Sequence, residues 1–373
     1  MALRGNAKDE IYYTQVVVLV AVIVFSTGFL AAARLLTPVA GTAAWISVVL
    51  GGLVGLAIAW LVGSVSFAFP EQNLVRIAED VFSKPIGKVI GLTFTFYCAI
   101  ILVLGSREFV LAISISFLEK TPLVVTTGVF VILAAYAAYL GIEAIARVCF
   151  IFFGVVIASI TILVIFAIPV SVPARLLPLA GKGLLPVARG GLLAASYAGE
   201  AIVSLAFLRH LKDKRSVSRA VGTGVAIGMG IITLAVAFGV MMLGSGGISQ
   251  VTYPIIQTAR TVGAGEFLDR GEILFLSLWF SVAILKLASV FYAAVTAISD
   301  LFNIANYRRL ILPFGIALMV VSSVSETVVE SFVGVEYFLR YGVWYAIGLS
   351  GLLAIGSYMS GRRKGGRENG NTE

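Results

Sequence analysis

Apolar stretches long enough to cross a bilayer follow one another almost without a break through this chain. A helix needs about 20 predominantly apolar residues to span the hydrocarbon core, so each stretch is a candidate crossing. Of the 373 residues, 60% are hydrophobic and 12% charged, and the mean hydropathy is +1.03. A soluble domain of this length cannot hide that much apolar surface. The runs are continuous rather than short and alternating, which excludes a β-barrel, the other structure that satisfies its backbone in lipid. The sequence therefore predicts an all-α polytopic membrane protein.

Ten transmembrane helices are expected, at approximately 11–34, 41–67, 87–113, 122–140, 143–169, 188–209, 217–244, 269–302, 309–326 and 335–359. Pro38, Pro70, Pro122, Pro169, Pro173, Pro178 and Pro313 lie at or between their ends, where helix breakers belong. Basic residues concentrate in alternate connections: Arg76, Lys84 and Lys88, then Arg209, Lys212, Lys214, Arg215 and Arg219, then Arg308 and Arg309. Arg175, Lys182 and Arg189 on the other side weaken the contrast. The bias still places both termini in the cytoplasm. Residues 73–91 read as an amphipathic connection at the membrane surface. The net charge of +8 then serves topology and lipid headgroups, and no nucleic acid is expected.

Residues 1–10 form a cytoplasmic N-terminus, 11–169 a first five-helix repeat, and 170–187 a connecting loop. Residues 188–359 form a second, inverted five-helix repeat, and 360–373 a disordered basic tail. An odd number of crossings per half makes the second half enter from the opposite face, a frequent transporter plan. Its physical mark is an interrupted helix at matching positions in both halves. Span one carries "FSTGF" (Phe25–Phe29) and span six "SYAGE" (Ser196–Glu200), each near its centre. Glycine beside hydroxyl-bearing neighbours permits unwinding. The competing reading is that Gly28 and Gly199 simply let helices pack closely.

Charged residues inside spans are expensive, and each needs a partner or a cavity. Glu200 is the one acidic residue of span six, and Arg107 and Glu108 interrupt span three. Lys286 lies deep in span eight, with Ser289 on the same face close by. Glu143 and Arg147 are spaced for a helical i,i+4 pair, read as a packing contact. Cys98 and Cys149 read as small packed hydrophobes. His210 is the only histidine, so histidine catalysis or metal binding has little to draw on. Neither a histidine-rich cluster nor a Gly-x-Ser-x-Gly elbow is present; no enzyme activity, cofactor or metal is expected.

"GIEAIARVCFIFF" (Gly141–Phe153), "LLPLAGKGLLPVARGGLLAASYAGE" (Leu176–Glu200), "FSVAILKLASVFYAAVTAISDLF" (Phe280–Phe302) and "YRRLILPFGI" (Tyr307–Ile316) closely resemble segments of the B subunits of GerA-type spore germinant receptors. These are spore germination permease-like proteins of the amino acid/polyamine/organocation superfamily. The resemblance implies a LeuT-like 5+5 inverted repeat with helices 1 and 6 unwound. It also implies residence in the spore inner membrane beside an A subunit and a lipid-anchored C subunit, and a role in sensing nutrients such as amino acids. Phe150 stands where the family pattern leads one to expect an acidic residue, so any role of that carboxylate does not carry over.

Unwound helix ends favour a carboxylate at their N–H groups and a cation at their carbonyls, which suits a zwitterion. A ligand pocket is accordingly expected between Ser26, Thr27 and Gly28 and the segment Tyr197, Ala198, Gly199 and Glu200. Arg107, Glu108, Glu200, Lys286 and Ser289 are read as a polar intramembrane network or an ion or water path. Lys286 either pairs with Glu108 or Glu200, or replaces the sodium that some relatives bind between helices 1 and 8. The leading expectation is a ligand-sensing germinant receptor subunit; the alternative is a proton-coupled amino acid secondary transporter.

Overall fold

The computed structural model describes residues 10–262, 271–323 and 328–369; the expected N-terminal segment lies almost wholly outside them. Twelve α-helices are formed among these residues. They are α1 (Tyr13–Ala40), α2 (Ala44–Ala68), α3 (Leu74–Val81), α4 (Lys84–Ser116), α5 (Leu123–Leu140) and α6 (Ile142–Ala167). Then follow α7 (Leu184–Gly199), α8 (Val217–Ile248), α9 (Pro254–Val262), α10 (Gly271–Leu301), α11 (Arg308–Ser323) and α12 (Val328–Asn369). Seven helical segments among the described residues are long and apolar enough to cross a membrane; the first, Tyr13–Ala68, is 56 residues long and contains both α1 and α2. At 16 residues each, α7 and α11 are shorter.

Burial sorts these helices by position. α1 is buried along nearly its whole length and packs on α8, α7, α6 and α10, which makes it the axis of the bundle. α6 is the opposite case: only 17% of its most apolar window is buried, and Ile151, Ile162 and Ile165 face outward. Such a helix is stable only in a lipid environment. α3 is the amphipathic piece expected within 73–91. It buries Leu74, Val75, Ile77 and Ala78, and Asn73 caps it by accepting the Arg76 amide at 2.8 Å. The rest of that segment, from Lys84, already belongs to α4.

Three expectations need correction. α1 is not unwound: it continues through Gly28 with helical geometry. The Ser26 hydroxyl donates to the Val22 carbonyl one turn back, so it reinforces the helix rather than partnering freed backbone. Gly28 is small because its neighbours are close: a Cβ there would lie 2.5 Å from Ile232 Cδ1 and 3.3 Å from Tyr197 Cγ. The close-packing reading of that glycine is the one the structure supports. Helix 6 is not unwound either; α7 ends at Gly199 and tightens into a 3₁₀ helix over Glu200–Ala206. The described part of the tail is helical, not disordered, because α12 runs on to Asn369, extending a helix already nucleated by its apolar part.

Packing at Gly28 yields a direct prediction. Gly28→Leu is expected to lower stability by about 1–3 kcal/mol through overpacking, read as a reduced Tm of the purified protein. An unchanged Tm would mean that α1 opens at this point.

The two ends of the bundle are built differently. At one end, the Ile11 amide donates to the His210 carbonyl at 2.9 Å and the Lys212 amide to the Ile11 carbonyl at 3.0 Å. Residue 11 is thus strapped to the chain leaving the 3₁₀ helix, beside ion pairs of Lys214 with Glu71 at 3.6 Å and Arg209 with Asp300 at 4.0 Å. At the other end, α8 bends at Gly244, whose φ of 71° no ordinary side chain favours. The Met241 carbonyl freed near this bend accepts from the Val172 amide at 3.1 Å and from Arg175 at 3.2 Å.

Candidate functional site

Glu200 is the first residue of the 3₁₀ helix and is 2% exposed. Lys286, from α10, is fully buried, and its Nζ lies 2.7 Å from Glu200 Oε2. The same ammonium donates to Thr27 Oγ1 of α1 at 2.7 Å. One cation thus ties together the bundle axis, the end of α7 and α10. Removing two charges from water costs several kcal/mol per ion, offset only when the pair is close and its remaining valences are met. Thr27 supplies one of those partners.

A second carboxyl joins from α4. Glu108 is 4% exposed, and its Oε1 is buried without a hydrogen-bond partner. The Tyr253 hydroxyl, from the chain preceding α9, donates to the Glu108 main-chain carbonyl at 3.3 Å. Tyr197 completes the polar wall, its hydroxyl also buried and unpartnered. Thr27, Glu108, Tyr197, Glu200 and Lys286 surround a chamber of about 20 Å³, room for one water molecule. Ile101 and Leu104 of α4 and Val335 and Phe338 of α12 close it on the apolar side.

Hydrogen bonding also fixes α7 against α12. The Ser196 hydroxyl donates to the Leu339 carbonyl at 2.6 Å and accepts from the Val343 amide at 3.0 Å. It therefore occupies both backbone groups of one helical turn of α12, and insertions of this kind are where helices bend. Gly199 packs on the same helix, since a Cβ there would stand 3.0 Å from Ala346 Cβ.

Of the residues expected to hold ligand, Thr27, Tyr197 and Glu200 line the chamber. Ser26, Gly28, Ala198 and Gly199 do not. Ser26 bonds back to Val22, Gly28 faces Ile232, Ala198 packs against Gly55 and Gly199 against Ala346. Of the expected polar network, Glu108, Glu200 and Lys286 converge, and Lys286 pairs with Glu200 rather than Glu108. Ser289 instead donates to the Leu285 carbonyl at 2.8 Å, and Arg107 lies outside the chamber lining. Glu143 and Arg147 form their i,i+4 pair at the exposed start of α6. Both cysteines are free and buried. The sequence reading missed Leu104, Val335 and Phe338, which carry no local signal beyond apolarity, and the bridging role of Ser196.

An α-helical bundle with a buried charged chamber where an α-helix passes into a 3₁₀ helix suits a permease-like membrane protein. Solved structures agree on the fold. A nucleobase-cation-symport-1 family transporter, MHP1, in a closed conformation with bromovinylhydantoin bound, matches with a TM-score of 0.69 at 13% identity, covering 93% of this chain and 78% of that one. MhsT in complex with L-phenylalanine matches with a TM-score of 0.67 at 14% identity, covering 93% and 97%. The fold is LeuT-like. Residues 10–330 match the family model described as spore germination protein, and the chain belongs to that family, as a permease-like B subunit. It is 25% identical over 309 residues to spore germination protein KB of Bacillus subtilis (strain 168), covering 81% of this chain and 82% of that one. Spore germination protein A2 of the same organism is 23% identical over 299 residues, covering 79% and 81%. The family is permease-like rather than enzymatic, and this chain is an integral membrane protein with a germination-related function.

Proposed function

We propose that this chain is the ligand-sensing subunit of a spore germinant receptor, binding a small nutrient, in particular an amino acid, in the chamber at Glu200 and Lys286. The observation that carries the reading is a close ion pair sealed in about 20 Å³. A zwitterion is the ligand whose two charges can take over both halves of that pair: its carboxylate faces Lys286 and Thr27, its ammonium faces Glu200 or Glu108. The sealed chamber is too small for such a ligand, so binding requires the helices around it to separate. That gives the ligand unequal affinity for two arrangements of the bundle, the condition for sensing. MhsT, a structural neighbour, was captured with L-phenylalanine, in keeping with a ligand of this class.

In this reading α1 and α7 with its 3₁₀ extension are helices 1 and 6 of two inverted five-helix halves, and α1, α2, α4–α8 and α10–α12 are ten crossings. Both termini and the strapped end at Ile11 face the cytoplasm. The protein resides in the spore inner membrane with A and C subunits, which carry the change onward. Lys286, reaching from α10 to Thr27 of α1, is a fixed cation where some relatives bind sodium.

The alternative, a proton-coupled amino acid transporter, draws on Glu108, whose Oε1 is buried and unpartnered. Binding of amino acids to the purified protein together with uptake into proteoliposomes separates the two. Binding without pH-driven accumulation is expected. Robust accumulation would establish the carrier, and binding of no amino acid would remove both readings.

A further inference from the structure

A groove of about 740 Å³ runs between α4 and α12 on the outward side of the charged chamber. Its walls are apolar and aromatic, with Phe96 and Tyr341 at the rim, 67% and 59% exposed. At its floor Tyr97 stacks on Tyr345 with ring centroids 4.6 Å apart. Two residues, Leu104 and Phe338, line both this groove and the chamber holding Glu200 and Lys286. Both side chains therefore stand between a charged cavity and a large apolar one.

Phe338 sits between Gly334 and Gly342, each four residues away on the same face of α12. Its ring packs against Tyr97, with ring centroids 5.7 Å apart. The ring lies directly over Gly342, where a Cβ would come within 3.2 Å of it. The backbone of this turn is the one whose Leu339 carbonyl and Val343 amide are taken by Ser196 of α7. Displacement of Phe338 and of the helix bearing Glu200 is therefore mechanically linked. The groove floor also holds a polar group: the Tyr97 hydroxyl is buried and has no hydrogen-bond partner.

We infer that the α4–α12 groove is the side-chain subsite of the ligand chamber, opened when Phe338 and Leu104 swing aside. The ligand class is then an amino acid with an aromatic or branched aliphatic side chain. Its zwitterionic head is held at Glu200, Lys286 and Thr27, and its apolar body lies in the groove. The inference rests on the ligand-sensing reading above. A groove serving bilayer lipid or a partner helix alone would not need to adjoin the charged chamber through two shared apolar side chains.

The test is calorimetric titration of the full chain in nanodiscs with L-alanine, L-valine, L-leucine and L-phenylalanine. Leucine and phenylalanine are expected to bind at least about tenfold more tightly than alanine, the discrimination an apolar pocket supplies. Gly342→Leu, which pins the ring and fills the groove, is expected to abolish that preference. Phe338→Ala, a second variant that only removes bulk, is expected to keep or widen the preference. Equal affinity for all four ligands in the wild type overturns the inference, as does an equal loss for all of them in Gly342→Leu at unchanged Tm. Altered lipid or A-subunit co-purification in Gly342→Leu with unchanged amino acid affinities also overturns it and assigns the groove to that occupant. In all three cases the ligand-sensing reading survives, whereas failure of every amino acid to bind the wild type removes both.

Discussion

Lys286→Met is expected to cost the protein about 3–5 kcal/mol of stability, the range for removing one partner of a buried ion pair. Lys286 has no access to water, and its loss leaves Glu200 and Glu108 facing each other across the chamber without a cation. The Thr27 hydroxyl loses its donor at the same time. The measurement is the Tm of the purified protein in detergent, beside its level in the membrane fraction. The double variant Glu200→Gln with Lys286→Met is expected to recover most of the loss, because replacing both members of a buried pair by uncharged groups is often close to neutral. If the double variant is as unstable as the single one, the pair is not the source of the effect.

The second large effect is on ligand response. In the stable double variant, amino acid binding is expected to fall by about 30-fold or more, since truncating a buried, hydrogen-bonded charge pair costs at least about 2 kcal/mol. Germination triggered through this subunit is expected to fail at normal protein levels. Glu200→Gln alone gives the same loss of response with part of the instability. Binding in the double variant within threefold of wild type would dissociate the ion pair from ligand recognition, whatever its structural worth.

Much of this arrangement was legible in the residues. Long apolar runs place the helices: each expected stretch overlaps one, though α12 (Val328–Asn369) runs well beyond 335–359 at both ends, and seven segments among the described residues are long and apolar enough to cross a membrane. The charges that converge on the chamber were legible for the same reason: a carboxylate or an ammonium in the middle of an apolar run has few reasons to be there. What the chain could not disclose was partner choice. Glu200 and Glu108 were equally available to Lys286, and only the three-dimensional placement of α10 against the 3₁₀ helix decides for Glu200. Gly28 misled because a glycine beside hydroxyls reads the same whether the backbone opens or a neighbour presses in, and Ile232 lies more than two hundred residues away. Phe338 was invisible for a different reason. It is one of 24 phenylalanines, and its place depends on what α4 presents to it.

The strap at Ile11 has a practical consequence for anyone labelling this protein. Residue 11 is held through both its amide and its carbonyl by the chain that leaves the Glu200 helix, so the approach to α1 is tied to the segment that carries Glu200. A fluorescent domain or affinity handle fused close before it would press on that tie. A reporter joined after α12, which ends at Asn369, leaves that tie alone.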